Sequence, residues 1–358
     1  MNIAFVLPNT TDRAIGGYKV VYQYANYMVK SGHTVSVIYD EEQMIGNHNV
    51  LVRPMIKARA QYFLMTEPKW FALDKRIKKK TVSKITAKQL KEYEVIVATA
   101  KITADYIHRE NVDSNKVVYL IQDFENWGCS NESVYSSYQY GFKNVAISKR
   151  LVDIVKNKAG VSCLHLPDGI DTECFRIFNP IEKRPIHSIA MMYRKSKRKG
   201  YPDGLAVLKK LRETYPDLVA VMFGVDEKPE NLPEWVQYEY RADQTKLSVI
   251  YNSVRVFLCS SLQEGYGLTG LESMACGCAL VSTDTLGVHE YAVNGQTASI
   301  VPISDIEAMY EKVCELFEDE ELLIRRTSQS ANEAKKYGVE LMAKRFDDIL
   351  GKIEVHNV

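Results

Sequence analysis

Short apolar runs alternate with longer segments of helical periodicity from the first residues onward. The runs NIAFVL, HTVSVIYD, VIVATA and KVVYLIQD predict strands in the first half of the chain. Between the first two, residues 18–32 (YKVVYQYANYMVKSG) repeat apolar side chains at helical spacing and end at Gly32. Strands that alternate with helices in this way are typical of βαβ units and parallel sheets.

The same alternation begins again at residue 187. HSIAMMY predicts a strand, PDGLAVLKKLRETY a helix, and VAVMFG, VRVFLCSS and CALVST further strands. Between the two series, residues 166–175 (LPDGIDTECF) have the Pro, Gly and Asp content of a turn-rich linker. The pattern and the length of 358 residues predict an α/β protein of two doubly wound, Rossmann-like domains, residues 1–168 and about 169–335.

The composition, 46% apolar and 25% charged, is that of a soluble globular protein. No apolar run reaches the roughly 18 residues of a membrane span, and MNIAFVLPN lacks the features of a signal peptide, so we expect a cytoplasmic protein. The seven cysteines are scattered, and Cys276 and Cys278 form the only close pair. We expect reduced, mostly buried thiols and no metal site.

The charge is unevenly distributed. Residues 1–168 contain 23 Lys and Arg against 16 Asp and Glu, whereas the rest of the chain is acidic. Residues 53–91 contain twelve Lys and Arg against two acidic residues, Glu67 and Asp74, and are interleaved with the aromatic residues Tyr62, Phe63, Trp70 and Phe71. Two readings stay open: attachment to an anionic membrane surface at its inner face, or a solvated basic loop and helix. Nucleic acid is disfavoured because no reader motif occurs.

Two Rossmann-like domains could also form a dehydrogenase, but the glycines argue against it. Neither half has a G-x-G-x-x-G sequence after its first strand. In the first half Gly16 and Gly17 come later than the fingerprint requires, and the second half has no glycine between its first strand and Gly200. The nicotinamide function therefore loses its main support.

Residues 264–281 (EGYGLTGLESMACGCALV) carry the most specific chemistry. The strand that ends in CSSLQE is followed by a glycine turn and a predicted helix. The backbone amides of Tyr266, Gly267 and Leu268 should therefore point out of a helix N-terminus, where they can hold a phosphate group.

Glu264 and Glu272 flank this predicted phosphate site, eight positions apart. A carboxylate repels phosphate, so we expect both to accept hydrogen bonds from hydroxyl groups on either side of a diphosphate, as in a nucleotide sugar. The alternative is a helix in which early glutamates only favour the helix dipole.

Residues 260–295 (SSLQEGYGLTGLESMACGCALVSTDTLGVHEYAVNG) resemble the signature of the GT-B glycosyltransferases of family 4, with two glutamates separated by seven residues. The resemblance implies a GT-B fold, whose two domains face a cleft. It also implies that Glu264 contacts hydroxyls of the donor sugar, that Glu272 contacts the ribose, and that the amides of Tyr266 to Leu268 bind the diphosphate.

Other segments resemble the same family in register. MMYRKSKRKG resembles its Arg and Lys-Gly loop, which implies donor contacts by Arg194 and Lys199. Gly16 and Gly17 resemble its first-domain glycine loop, and LPDGIDTECF resembles its interdomain Asn-Gly-Ile-Asp segment, with Asp168 in the Asn position. The last helix, within about residues 336–358, resembles the family's terminal helix that packs back on the first domain.

Arg194 and Lys199 also make chemical sense without the family. A departing nucleoside diphosphate gains negative charge, and fixed cations aimed at it lower the barrier. The chain contains no Asp-x-Asp pair to bring a metal, so we expect these cations to act instead, with no cofactor besides the donor substrate. A solvated basic loop is the alternative for KSKRK.

The first domain departs from the family pattern. Where many members have a His near the sugar, VVYLIQDFENWG offers Gln122, Asp123 and Glu125. Gln122 and Asp123 are candidates for the acceptor side, while a capped strand end with surface acids is an equal alternative. The role of His289, close to the signature, stays open.

The resemblance implies transfer of a hexosyl or deoxyhexosyl group from a nucleotide sugar to a glycan or lipid-linked hydroxyl. It implies retention of anomeric configuration by same-face attack, in polysaccharide or glycolipid synthesis. Two alternatives remain, a nucleotide-sugar epimerase of the same fold and a non-catalytic subunit that binds glycan or nucleotide sugar. The nucleotide base, the sugar and the acceptor are not identified.

Overall fold

The computed structural model describes residues 1–46, 48–66 and 68–353. The chain divides into two compact units, one formed by Met1–Asp168 with Glu340–Val358 and the other by Gly169–Val339. Each unit is built around its own parallel sheet.

The first unit contains a seven-stranded sheet in the order β3-β2-β1-β4-β5-β6-β7, and all neighbouring strands are parallel. Its strands are β1 Asn2–Leu7, β2 Thr34–Asp40, β3 Lys78–Val82, β4 Val95–Ala98, β5 Val117–Ile121, β6 Lys143–Ala146 and β7 Leu164–His165. Its first helices are α1 Gly16–Lys30, α2 Glu42–Gly46, α3 Arg53–Thr66, α4 Ala87–Leu90, α5 Lys101–Arg109, α6 Asn131–Tyr138 and α7 Lys149–Ile154.

The second unit contains a six-stranded parallel sheet in the order β10-β9-β8-β11-β12-β13. Its strands are β8 Ser188–Tyr193, β9 Val219–Gly224, β10 Val236–Tyr240, β11 Val256–Cys259, β12 Ala279–Thr283 and β13 Ala298–Val301. Its helices are α8 Tyr201–Thr214, α9 Gln244–Ser253, α10 Leu268–Ala275, α11 Ile306–Glu318 and α12 Glu320–Ala334. The predicted α/β class with two Rossmann-like parallel sheets is confirmed.

The last helix, α13 (Val339–Leu350), joins the first unit. Its Phe346 is fully buried, and the ring stacks on Tyr24 of α1 with centroids 4.9 Å apart. His33 is the residue before β2, and its imidazole Nε2 lies 2.9 Å from Oδ1 of Asp347. The apolar side of α13 thus completes the core of a unit whose sheet lies far upstream in the sequence.

Buried strands explain why the apolar runs were continuous. Residues 3 to 7 of β1 are at most 1% exposed, and β11 and β12 are buried along most or all of their length. Parallel sheets covered by helices on both faces bury side chains on both sides, so their strands need not alternate apolar and polar residues.

The basic segment 53–91 forms α3 and β3, and β3 is the edge strand of its sheet. Lysines on an edge strand discourage pairing with another chain, which gives Lys78, Lys79 and Lys80 a structural purpose. The ammonium of Lys80 is 2.7 Å from a carboxylate oxygen of Glu92. Glu67, one of the two acidic residues of the segment, lies outside the described residues.

All seven cysteines lie within the described residues and are free thiols. Three of them are buried, Cys129 is exposed and the other three are partly buried. In the part of the chain that the structure covers, no helix has the length and apolar character needed to cross a membrane.

A buried arginine holds the segment before β8 against two helices of the second unit. Arg184 is 2% exposed, and its guanidinium donates to the carbonyl of Asn179 at 2.7 Å. It also donates to the carbonyls of Tyr251 (3.0 Å) and Val254 (2.7 Å) at the end of α9, and of Cys276 (2.7 Å) at the end of α10. A cation is favourable there because the C-terminal carbonyls of a helix lack partners and carry partial negative charge.

We expect Arg184→Met to destabilise the second unit by about 3 kcal/mol or more, because several buried carbonyls would lose their donor at once. Arg176→Met, the same change at an exposed position of the same segment, should leave the free energy of unfolding nearly unchanged. Urea denaturation followed by tryptophan fluorescence measures both. Equal stability of the two variants would show that the carbonyls find other donors.

Candidate active site

The sheet of the second unit has a topological switch point between β8 and β11. The chain leaves β8 for β9 on one side and later returns to β11 on the other. In open parallel sheets, ligands bind outside the carboxyl ends of the strands at such a point. The loops that follow these two strands, residues 194–200 and 260–267, therefore frame the candidate site.

All residues predicted for the donor side of the second unit lie in these two loops or on α10. They are Arg194, Lys199, Glu264, Tyr266, Gly267, Leu268 and Glu272. The ligand contacts predicted for them remain predictions, but their position at the switch point is what a donor site requires.

The two loops are pressed together at Gly200. Its φ is +58°, and a Cβ built there would lie only 1.8 Å from the carbonyl oxygen of Ser260. The hydroxyl of Ser260 donates to the carbonyl of Gly200 at 3.0 Å, and the amide of Leu262 donates to the carbonyl of Arg198 at 2.7 Å. Only glycine fits this contact, which places residue 199 beside the second loop.

Lys199 and Glu264 form an ion pair across the two loops. The ammonium lies 2.7 and 2.6 Å from the two carboxylate oxygens. The hydroxyl of Ser261 donates to the same carboxylate at 2.7 Å, and Glu264 is only 8% exposed. The cation predicted for the diphosphate and the carboxylate predicted for the sugar are thus in direct contact.

The helix α10 begins directly after a glycine in the left-handed conformation, Gly267, with φ +93°. The first amides of a helix have no partner within the helix and point out of its N-terminus. Leu268 opens α10, so these amides lie on the same short turn as Glu264. A carboxylate with its own cation beside the N-terminus of a helix is compatible with an anion, because the pair carries no net charge.

Tyr291 packs into the space left by two glycines of the motif. Its hydroxyl donates to the carbonyl of Gly267 at 2.8 Å, and it would lie 2.5 Å from a Cβ at Gly270. Its ring lies 5.4 Å from that of Tyr266. Burial raises the pKa of Tyr291 well above its usual value, and Glu264 nearby raises it further. The sequence pattern does not single out Tyr291, although two glycines three positions apart indicate a close neighbour.

Glu272 lies on the inner side of α10 and is 2% exposed. The hydroxyl of Tyr251, on α9, donates to its carboxylate at 3.3 Å. A hydroxyl partner is what the sequence predicted for this carboxylate, but here the protein supplies one. The contact between Glu272 and a ribose stays a prediction.

Arg194 begins the first of the two loops. It follows β8 directly and is partly buried, and its charge acts on the hydroxyl of Tyr238, whose pKa is raised mainly by burial. The next amide, that of Lys195, donates to Asp226 at 2.9 Å.

The segment after β12 packs against the glycine turn. A Cβ at Gly287 would lie 3.0 Å from the carbonyl oxygens of Gly265 and Tyr266. Leu286 has φ +65°, a strained conformation of the kind that clusters at functional sites. His289, whose role was left open, is half exposed and lies 2.9 Å from the carboxylate of Asp284.

In the first unit, Gly16 and Gly17 begin α1 at the switch point between β1 and β4. A Cβ at Gly17 would lie 3.1 Å from the amide oxygen of Gln122, and the amide nitrogen of Gln122 donates to the carbonyl of Thr99 at 3.0 Å. The structure therefore brings the glycine pair and Gln122 together, as a shared site requires.

The two acidic residues after Gln122 have local partners. Asp123 accepts a hydrogen bond from the amide of Phe124 at 2.8 Å. Glu125 accepts from the amide of Lys101, the first residue of α5, at 2.9 Å. Burial raises the pKa of Glu125 to about 7. Glu125 is thus engaged at the first turn of α5, and neither acceptor-side chemistry nor a strand end with surface acids is decided by this contact.

The linker residue Asp168 is 3% exposed, and its Oδ1 has no hydrogen-bond partner among the described residues. Burial raises its pKa to about 8. Asp171, three positions on, instead accepts from the amides of Glu173 and Cys174 and so closes a turn.

Within the described ranges, no group of three or more His, Cys, Asp or Glu side chains is placed to hold a metal ion. The polar groups at the switch point of the second unit are instead a lysine, a carboxylate and helix amides. These groups suit an anionic ligand that also carries hydroxyls.

The family model "Glycosyl transferases group 1" matches residues 175–337. The chain carries a group 1 glycosyltransferase domain. The match includes both loops of the candidate site, and the resemblance found in the sequence is confirmed.

A phosphatidyl-myo-inositol mannosyltransferase of Mycolicibacterium smegmatis is 22% identical over 188 residues, which are 50% of this chain and 49% of that protein. The chain thus matches about half the length of this relative. Two solved structures are similar over 98% of this chain at 13% identity. They are the sucrose-phosphate synthase of Thermosynechococcus elongatus (TM-score 0.75, 98% of it covered) and Anabaena HepE with UDP and glucose (0.71, 100% covered). The group 1 domain is therefore half of a GT-B fold.

We expect Gly200→Ala to lower the melting temperature of the protein more than Gly295→Ala does. Both glycines have positive φ, where alanine costs about 1–2 kcal/mol, but Gly295 has no described atom within 4 Å of an added Cβ. The additional loss at Gly200 measures the clash with Ser260. Thermal denaturation of the two variants compares them, and equal losses would mean that the loops can separate freely.

We expect Asp168→Asn to stabilise the protein at alkaline pH. The pKa of Asp168 is raised from 3.8 to about 8, so the folded protein keeps a proton that the unfolded chain releases. Stability is therefore lost as pH rises from about 4 to about 8, and asparagine removes this loss. The difference in melting temperature should be small near pH 4, grow up to about pH 8 and stay constant above it. The exposed control Asp348→Asn should show no such divergence; a constant difference at all pH values would contradict the burial argument.

Proposed function

We propose that the protein transfers a hexosyl or deoxyhexosyl group from a nucleotide sugar to a hydroxyl of a glycan or lipid-linked acceptor. The observation that carries the proposal is the Lys199–Glu264 pair at the switch point, beside the first turn of α10. In this pair, a lysine that can bind a phosphate group lies next to a carboxylate that can accept hydrogen bonds from sugar hydroxyls.

The chemistry follows from charge. When the glycosidic bond to the nucleotide breaks, the diphosphate gains negative charge, which Lys199, Arg194 and the amides from Tyr266 to Leu268 can stabilise. As the diphosphate attracts Lys199, Glu264 becomes able to accept hydrogen bonds from the donor sugar. Glu272 contacts the ribose in this proposal. No cofactor is proposed besides the donor substrate.

The acceptor class is supported by the relatives. One acts on phosphatidyl-myo-inositol by its name, and another, 26% identical over 107 residues, is a Campylobacter jejuni transferase named for a diphospho-undecaprenol substrate. We infer a role in polysaccharide or glycolipid synthesis. Retention of anomeric configuration, by attack on the face that the nucleotide leaves, is part of the proposal. Of the two acceptor-side candidates, Gln122 and Asp123, we favour Gln122 because its side chain lies against Gly17 at the start of α1.

We expect Lys199→Met to lower kcat/KM by about 100- to 1,000-fold, the usual effect of removing one preorganised donor. Lys197→Met, in the same loop but exposed, should change it less than about threefold. Glu264→Gln should lower turnover while nucleotide affinity is nearly kept, whereas Glu272→Gln should weaken nucleotide binding itself. The measurements are calorimetry with a panel of nucleoside diphosphates and transfer from the nucleotide sugar that binds.

Three outcomes would contradict the proposal. Conversion of the nucleotide sugar without an acceptor would indicate an epimerase. Tight binding without turnover for any glycan or polyprenyl acceptor would indicate a non-catalytic subunit. Equal activity of the two lysine variants would remove Lys199 from the mechanism.

A further inference from the structure

Helix α3 and the 3₁₀ turn before it, Val50–Val52, expose a row of large apolar side chains. We call it the outer face of α3 and define it by Val50 (65% exposed), Leu51 (84%), Met55 (69%), Tyr62 (65%) and Met65 (84%). Single exposed apolar residues are normal on a protein surface, but five within sixteen residues of one helix and its preceding turn are the kind of apolar surface that marks an interaction site.

The outer face is additional to the face that holds α3 in its unit. Ala60 and Phe63 are buried, and the ring of Phe63 packs edge-on against Tyr39 of β2 with centroids 5.1 Å apart. At 3.6 residues per turn, Met55 and Tyr62 share one side of the helix, roughly opposite Ala60. The helix is therefore apolar on two sides, and its own unit uses only one of them.

The four aromatic residues of the basic segment do not all lie on the outer face of α3. Tyr62 belongs to the outer face, whereas Phe63 is buried. Trp70 and Phe71 pack against Tyr22 of α1, with ring centroids 5.6 and 5.5 Å away. Phe63 is therefore not available for the surface contact that the sequence suggested, because its ring is buried, whereas Trp70 and Phe71 are partly buried.

The charged residues of α3 are all basic. Arg53–Thr66 contains no acidic residue, and Lys57 and Arg59 are exposed on the same helix. A second copy of this face would bring like charges together, which disfavours a symmetric dimer. An anionic surface with an apolar interior satisfies both the cations and the row of apolar side chains.

We infer that the outer face of α3 docks on the surface of a bilayer that contains anionic phospholipid. Met55, Tyr62, Met65 and Leu51 enter the boundary between headgroups and acyl chains, and Lys57 and Arg59 contact the headgroups. This inference goes beyond the proposed function and does not depend on it, since lipid binding requires neither a nucleotide sugar nor turnover.

The test is co-sedimentation of the full chain with vesicles of phosphatidylcholine containing about 30% phosphatidylglycerol, at low salt and without nucleotide. We expect wild-type protein in the pellet, and in the supernatant when phosphatidylcholine is used alone. Met55→Ser with Met65→Ser should lower the partition coefficient about tenfold or more, and so should Lys57→Glu with Arg59→Glu. These side chains are exposed, so the variants should keep the melting temperature of the wild type.

The matched control replaces two exposed apolar residues elsewhere, Ile186→Ser with Leu341→Ser, and should bind vesicles like the wild type. Wild-type protein that stays in the supernatant with anionic vesicles overturns the inference. Unchanged binding of the Met55→Ser, Met65→Ser variant overturns it too, because attraction would then be electrostatic alone. A dimer that dissociates in this variant, seen by ultracentrifugation without vesicles, would assign the face to self-association instead.

Discussion

The candidate site depends on the close approach of two backbone segments at Gly200 and Ser260. A side chain at residue 200 would overlap the Ser260 carbonyl, so the loop after β8 can lie against the loop after β11 only with glycine there. This approach sets Lys199 within 2.7 Å of Glu264, although the two residues are far apart in sequence. Preorganised charge of this kind is what stabilises a leaving diphosphate, because no side chain has to be rearranged from solvent.

The helix that carries the motif is fixed at both ends. At its start, Tyr291 fills the space over Gly267 and Gly270. At its end, the guanidinium of Arg184 binds the carbonyl of Cys276 and joins the C-termini of α10 and α9. A short helix such as α10 has little stability of its own, so tertiary contacts at its ends determine where its first amides point. Function and packing therefore depend on the same few contacts.

Much of the fold could be predicted because the central strands are continuous apolar runs between helical segments. The edge strand β3 was missed since KKKTV has no apolar pattern, and β7, with two residues, is too short for any pattern. The motif indicated which residues lie at the second switch point. It could not reveal that Lys199 and Glu264 pair or that Tyr291 packs on the glycines, because both depend on loops that meet only after folding. The burial of Phe63 could not be predicted for the same reason.

The most direct measurement is a crystal structure of the protein with the nucleoside diphosphate that it binds best. The account predicts phosphate oxygens within hydrogen-bond distance of the Lys199 ammonium and of the amides of Gly267 or Leu268, with the Lys199–Glu264 contact lengthened or broken. A nucleotide bound at another place, with the Lys199–Glu264 pair unchanged, would contradict the assignment of this switch point as the donor site.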